Sequence, residues 1–353
     1  MNIVYRFTKD PIIDTIMKYF FKFRPVLRLL GPLFVCLFLV NCKKDDQPQQ
    51  PQSLSDVFTD DANFSVLSAA IKHAALGDAL KTGSLTIFAP TNDAFKAAGF
   101  NDVAAVTAQT PAAIRNILQY HVLKTKLPSA SVPTGDNLSV VALNGVSLFI
   151  TKTNNGFFVN GARVTLADQE ASNGVIHTID RVLVPSILNV SQTIETNPNF
   201  TFVNAALKRI IQLSPLLGAT LNNQLATTEN ITVFLPTDDA FRTTSAFTTL
   251  GSIQNASAAN VVVLANVLGY HAVRNRLFTN TLEAITNAGT ARGSLTSLNN
   301  NRTIELSFNA TTKIISLKGA NNGNNLANVL GGARNNIITK NGVIHAIDRV
   351  LLP

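Results

Sequence analysis

The sequence predicts an α+β chain in which one domain is used twice. Three observations carry that prediction. Three motifs recur in the same order in both halves of the chain. Within each half, short β-rich runs ending at proline are interleaved with segments of helical periodicity. Hydrophobic residues make up 46% of the chain and charged residues 14%, a balance that buries cores and does not stay disordered. At 353 residues there is length for two or three such cores.

The repeats fix the organisation. Thr86–Phe95 (TIFAPTNDAF) recurs as Thr232–Phe241 (TVFLPTDDAF), and Ile117–His121 recurs as Val267–His271. Asn173–Pro185 recurs as Asn341–Pro353 with Ala346 for Thr178 and Leu352 for Val184. Upstream, Asn63-Phe64 matches Asn199-Phe200. His121 to His271 is a step of 150, whereas His177 to His345 is a step of 168, so the second copy carries extra residues between Tyr270 and Asn341. That stretch holds the Asn299–Asn301 and Asn321–Asn325 runs, and polar turn residues of this kind predict surface loops. Few residues separate Pro185 from the second copy near Leu188, so the two domains are expected close together.

Each copy reads in order. Residues 64–75 and 200–211 have helical apolar spacing. Leu85–Phe88 and Ile231–Phe234 are strands that end at Pro90 and Pro236. Thr91 is placed to cap a helix, with Asp93 in the first turn, where a carboxylate suits the dipole. Thr110 caps a second helix with Pro111 at its first position. Strands are expected over Leu138–Leu143, Val146–Lys152, Phe157–Val159 and Arg163–Leu166. Asn144-Gly145, Asn155-Gly156 and Asn160-Gly161 mark the turns between them. The last motif reads as a buried strand.

The N-terminal stretch has a different character. From Met17, basic residues lead into an apolar run of roughly a dozen residues, of signal-peptide length and too short to span a bilayer. It ends Leu39-Val40-Asn41-Cys42 and resembles the lipobox of bacterial lipoproteins, although Asn41 replaces the usual small residue. Lys43 to Ser53 form a charged, Gln/Pro-rich tether, and a charged run straight after the cysteine resembles the surface-export signal of some Gram-negative lipoproteins. The expected organisation is a signal peptide over 1–42 with its true start at Met17, then a tether over 43–53. Domains over 54–187 and 188–353 follow. Cys42 is the expected lipid attachment site, holding the protein to the outer membrane with its domains exposed at the surface.

The net charge of +8 falls by half once residues 1–42 are set aside, and no basic stripe interleaved with aromatics remains, so nucleic acid is not expected as a partner. Both cysteines, Cys36 and Cys42, lie in the N-terminal stretch, which leaves the body without a disulfide or a cysteine metal site.

The three motifs in this order resemble those of the fasciclin domain family, from Leu54 to Pro353 and twice over. The signature residues are Phe88, Pro90, Thr91, Asp93, Phe95, Asn173, Gly174, His177 and Asp180. Their counterparts are Phe234, Pro236, Thr237, Asp239, Phe241, Asn341, Gly342, His345 and Asp348. The resemblance implies two tandem fasciclin-like domains, each a β-sandwich-like wedge flanked by helices, with roles in adhesion between cells or between cell and matrix. It also implies a functional candidate, since the Tyr-His region is linked to receptor adhesion in animal relatives. Tyr120, His121, Tyr270 and His271 are the residues concerned.

Read from the residues alone, His121 continues the apolar stripe of Ile114, Ile117 and Leu118, and His271 does the same after Leu264, Val267 and Leu268. A histidine on an apolar helix face is more often a hydrogen-bonded core residue than a ligand. His177 and His345 lie in strands with aliphatics on both faces, and Asp180 and Asp348 fall on the opposite face, poorly placed as His/carboxylate pairs. Asp93 and Asp239 read as braces of a helix start. There is no HExxH, no Gly-rich phosphate loop and no serine elbow.

The reading is therefore a lipid-anchored, non-catalytic interaction protein without cofactor or metal. Its partner is a protein or polysaccharide of a cell surface or matrix, of unspecified identity. Two alternatives belong to other classes. A glycan-binding accessory lipoprotein has few aromatic platforms to offer, with no Trp and two Tyr beyond the N-terminal stretch. A metal-dependent hydrolase would need His121, His177 and a carboxylate brought together.

Overall fold

The computed structural model describes residues 52–244, 247–287, 292–299 and 301–353. The expected signal peptide with Cys42, nearly all of the expected tether, and Asn300 lie outside the described residues. Residues 51–353 form one compact unit. No helix among the described residues is long and apolar enough to cross a membrane.

The first copy opens with helix α1 (Leu54–Asp60), started by a capping box between Ser53 and Asp56. Helix α2 (Ser65–His73) follows, and Leu54, Phe58, Leu67 and Ile71 of these two helices enter the first core. Strand β1 (Leu85–Pro90) is buried at every position. Thr91 then caps α3 (Asn92–Ala97) by accepting the Ala94 N–H, and Thr110 caps α5 (Pro111–Tyr120) after the short α4 (Val103–Thr107). Strands β2 (Val122–Leu123), β3 (Gly135–Val141), β4 (Ser147–Thr153), β5 (Gly156–Val159), β6 (Ala162–Ala171) and β7 (Gly174–Ile179) complete a seven-stranded sheet of order β2-β1-β7-β6-β5-β4-β3.

The second copy repeats this plan with α6 (Val190–Thr196), α7 (Thr201–Leu213), α8 (Pro215–Thr227), β8 (Ile231–Pro236), α9 (Asp238–Thr244), α10 (Leu250–Gln254), α11 (Ala258–Tyr270) and β9 (Ala272–Arg274). Then come α12 (Thr279–Asn287), β10 (Arg292–Thr296), β11 (Thr303–Asn309), β12 (Ile314–Lys318), β13 (Ala327–Asn328), β14 (Ile337–Ile338) and β15 (Gly342–Ile347). Its strands divide into two four-stranded sheets, β10-β11-β12-β13 and β14-β15-β8-β9.

At the centre of each copy two motif strands run parallel. β1 pairs with β7 from Leu85↔Gly174 to Pro90↔Ile179, and β8 pairs with β15 from Ile231↔Gly342 to Pro236↔Ile347. Both strands of each pair are buried along their whole length, which explains why they read as continuous apolar runs. On one side lies a helical core, on the other a core between sheet layers that includes Phe88 and Tyr120, or Phe234 and Tyr270.

Three expectations need correction. β6 runs over ten residues, beyond the expected Arg163–Leu166, because two register shifts bend it from the wedge onto the central pair. His121 and His271 are not on helix faces: each is the C-cap residue after the helix has ended. The extra residues of the second copy do not all form surface loops. Part of them builds α12 where the first copy has a single 3₁₀ turn at Ser129–Ser131. Within the Asn321–Asn325 run, Asn322 is buried: its Oδ1 accepts the Gly319 and Leu352 N–H groups and its Nδ2 donates to the Val350 carbonyl. An asparagine amide can satisfy three backbone groups at once, and sequence polarity alone does not reveal that use.

The glycine that opens β7 and β15 is sterically fixed. A Cβ at Gly174 would lie 2.2 Å from the Leu85 carbonyl oxygen, and one at Gly342 would lie 2.2 Å from that of Ile231. At Gly77, by contrast, a Cβ would meet nothing within 4 Å. Gly174→Ala and Gly342→Ala are each expected to destabilise the chain by about 1–3 kcal/mol in urea denaturation. Gly77→Ala should leave the midpoint unchanged, and equal effects at all three positions would contradict the steric account.

Candidate functional site

The Tyr-His pairs sit where the helix before β2 or β9 meets the chain that follows the last motif strand. His121 is 1% exposed and His271 is 0% exposed. The His121 Nδ1 lies 2.8 Å from the Ile117 carbonyl, and its Nε2 accepts the Leu183 N–H at 2.9 Å. His271 repeats this with the Val267 carbonyl at 2.7 Å and the Leu351 N–H at 2.9 Å. Because a backbone N–H can only donate, Nε2 must be the bare nitrogen and Nδ1 the protonated one. Each ring is therefore a neutral bridge between two backbone groups. In addition, the His121 and His271 carbonyls accept the N–H groups of Phe88 and Phe234.

His177 and His345 bridge in the opposite sense. The His177 Nε2 donates to the Leu127 carbonyl at 2.9 Å while its Nδ1 accepts the Asp168 N–H at 3.2 Å. For His345 the partners are Leu277 at 2.7 Å and Asn336 at 3.3 Å. Phe88 stacks on His177 at 5.5 Å and Phe234 on His345 at 5.6 Å. Desolvation pushes His121, His271 and His345 down to about 4, and it lowers His177 as well.

The tyrosine rings are fully buried and their hydroxyls are used. Tyr120 donates to the Ser147 carbonyl at 2.8 Å and accepts from Asn160 Nδ2 at 2.9 Å. Burial pushes its pKa up to about 12. Asn160 belongs to the two-residue Asn160-Gly161 turn, at φ +49° and +76°, so a hairpin turn and the Tyr120 site share one residue. Tyr270 donates to the Thr303 carbonyl at 2.5 Å and accepts the Ala320 N–H at 3.3 Å.

The other signature residues hold backbone to backbone. Asn173 accepts the Leu54 N–H and donates to the Leu80 carbonyl, and Asn341 accepts the Val190 N–H and donates to the Leu225 and Thr228 carbonyls. Asp180 accepts the Arg163 N–H at 2.9 Å, and Asp348 accepts the Asn328 N–H at 2.7 Å. Thr237 caps α9 through the Ala240 N–H. Asp93 lies in the first turn of α3, while Asp239 pairs with Arg242. Phe95 and Phe241 are buried in the helical cores. Among the described residues no group of three or more His, Cys, Asp or Glu could hold a metal ion.

The Fasciclin domain family profile matches residues 62–185 and 207–353. The chain belongs to the fasciclin domain family. Among its relatives, the Synechocystis protein sll1483 is 39% identical over 135 residues, spanning 38% of this chain and 73% of that protein. Human periostin is 26% identical over 272 residues, 77% of this chain but only 28% of periostin. The FAS1 domain pair of the insect cell adhesion molecule fasciclin I is 20% identical with a TM-score of 0.38, covering 82% of this chain and 96% of that one. In this fasciclin protein the Tyr, His and Phe residues of the motifs are buried in both domains, whereas Asp93, Asp180 and Asp239 are exposed.

The junction between the two fasciclin domains uses residues that motif reading missed. Arg276 is 2% exposed, with its guanidinium carbon 4.0 Å from the centre of the Phe149 ring of the other domain. Its backbone carbonyl accepts from Asn137 Nδ2 at 2.7 Å, and its guanidinium reaches the Gly342 carbonyl. Desolvation lowers its pKa to about 10, opposed by the nearby Tyr120 and Glu229. Phe149 also meets Phe278, and Arg181 donates to Asn335 Oδ1 at 2.7 Å. The one available signal was a comparison of the copies. The N–H groups of Leu127 and Leu277 donate to the equivalent Thr86 and Thr232 hydroxyls, which aligns Lys126 with Arg276. Lys126 remains partly exposed beside Glu170, whereas Arg276 is covered.

Two outcomes follow. Each histidine with a depressed folded pKa contributes stability that is complete above its ordinary value near 6.5 and is lost as pH falls toward 4. The unfolded chain binds the proton in that window and the folded one does not. Unfolding free energies from urea titrations should therefore fall from pH 6.5 to pH 4, by up to about 1.4 kcal/mol per pH unit for each of these histidines. At pH 7.5, His121→Ala should cost about 1–3 kcal/mol by leaving the Leu183 N–H unpaired. A flat pH profile, or an unchanged midpoint in that variant, would contradict the bridging role.

At the junction, Arg276→Ala is expected to remove about 2 kcal/mol of coupling between the domains. Calorimetry should show one unfolding transition in the parent chain and two in the variant. A single unshifted transition in Arg276→Ala would show that this contact does not join them.

Proposed function

We propose that the chain is a lipid-anchored protein of the cell envelope, held to the outer membrane through Cys42. Its two fasciclin domains are exposed at the surface and make non-catalytic contact with a neighbouring cell, a matrix or a host surface. Fasciclin domains are found in adhesion-type proteins, and the family is generally non-enzymatic. The observation that carries the reading is the state of the motif residues. The histidines that could have formed a catalytic constellation are neutral, buried and occupied by backbone partners in both copies. What each domain has left to offer a partner is surface.

The apolar N-terminal segment ending at Cys42 and the polar tether after it support the anchored part of the proposal. Two domains on one tethered chain gain effective concentration when both reach the same partner surface, so weak individual sites suffice for attachment. The experiment is a deletion strain scored for aggregation and surface attachment. Attachment should fall, recover with the full chain, and recover poorly with Cys42→Ser, which should also lose lipid labelling. Wild-type attachment in the deletion strain would overturn the adhesive reading. Unchanged lipid labelling of Cys42→Ser would overturn the anchor alone.

A further inference from the structure

Around the Arg181–Asn335 contact the two domains leave a cleft of ≈ 500 Å³ between them. Ligand clefts commonly have volumes of about 300–1,000 Å³ and favour domain boundaries. One wall carries Arg163, Asp180 and Arg181 of the first domain, and the other carries Asn280, Glu283 and Lys313 of the second.

Three cations thus face two carboxylates. None of the ion pairs between described residues involves Arg163, Arg181 or Lys313. Asp180 is partly committed, since its Oδ1 accepts the Arg163 N–H.

The cations are also held in place. The guanidinium of Arg163 lies 5.9 Å from the Phe158 ring centre, and the ammonium of Lys313 lies 5.8 Å from that of Phe308. Each wall therefore presents a cation braced on a phenyl ring. Arg181 is fixed by its hydrogen bond to Asn335 across the junction. Desolvation holds its guanidinium below the usual range, against the pull of Asp180, so an added anion gains more there than at an open surface.

Hydroxyl chemistry is provided as well. Glu283 lines the second wall and supplies carboxylate acceptors for hydroxyl groups. Ile314, 40% exposed, gives an apolar edge for a C–H face.

We propose that this inter-domain cleft binds an acidic saccharide, with Arg163, Arg181 and Lys313 receiving uronate carboxylates and Glu283 receiving ring hydroxyls. Asp180 and Glu283 disfavour a dense polyanion such as a nucleic acid or polyphosphate. They suit a ligand whose charges are spaced by hydroxyls. The biological setting of the site rests on the adhesive reading above, whereas its chemistry rests on the cleft.

The test is calorimetric titration of the full chain in detergent with trigalacturonate, and with maltotriose as the neutral counterpart. Trigalacturonate should bind saturably, and more weakly as salt is raised. The double variant Arg163→Gln/Lys313→Gln should weaken it by about tenfold or more, as expected for two lost charge-assisted hydrogen bonds. Both side chains are exposed, so the variant should keep the parent melting temperature. Lys96→Gln, an exposed lysine on α3 outside the cleft, should bind as the parent does. The proposal is overturned by no saturable trigalacturonate binding, by equal binding of maltotriose, or by an equal loss in Lys96→Gln. The first of these, found beside a deletion strain that has lost attachment, would sink the cleft and spare the adhesive function.

Discussion

At the centre of each domain two strands lie side by side and parallel, and a parallel pair cannot be joined by a tight turn. The chain leaving β1 at Pro90 must cross over before it can enter β7 at Gly174, and the chain leaving β8 at Pro236 must do the same before Gly342. The crossover carries the helices capped at Thr91 and Thr110 and the wedge strands, while the helices that precede β1 and β8 cover the other side of the pair. The pairing tolerates little variation, since the glycine that opens the returning strand lies against the carbonyl of the residue it pairs with. Burial of both strands along their full length removes any competing use of their backbone groups.

The histidines follow from that constraint. A crossover returning to a buried strand brings backbone donors and acceptors into the interior away from regular ladders. A neutral imidazole can accept from one and donate to another. His121 closes the end of α5 onto the chain after β7, and His177 ties β7 to the segment after β2 and to the bend of β6. Protonation would set an N–H against an N–H at each site, and desolvation makes it more costly still. The same geometry leaves neither ring nitrogen of these histidines free.

Duplication did not produce a symmetric pair. The first domain offers the sheet face that carries Asn137 and Phe149, and the second offers the segment around Arg276 and Phe278. The interface is therefore heterologous, with different surfaces from the two copies. Covering Arg276 rather than its counterpart Lys126 matches the properties of the two cations. A guanidinium is more weakly hydrated, stacks flat on a ring and still reaches carbonyls with its fork. The cleft between the domains is a product of this junction and exists in neither copy alone.

The sequence by itself determined the duplication, the α+β class, the helix caps at Thr91 and Thr110 and the continuous burial of the motif strands. These are local or periodic properties, and local chemistry decides them: a hydroxyl before a helix, a proline at its first position, an unbroken aliphatic run. It also marked His121 and His177 as residues of consequence, but not how their nitrogens are used, because Leu183, Leu127 and Asp168 are brought to them only by folding. The tertiary structure alone decided the bend of β6, the burial of Asn322 in a run that reads as loop, and the packing of Arg276 on Phe149. Each depends on groups far apart in the chain, and polarity in a sequence does not say whether water or a backbone carbonyl will satisfy it.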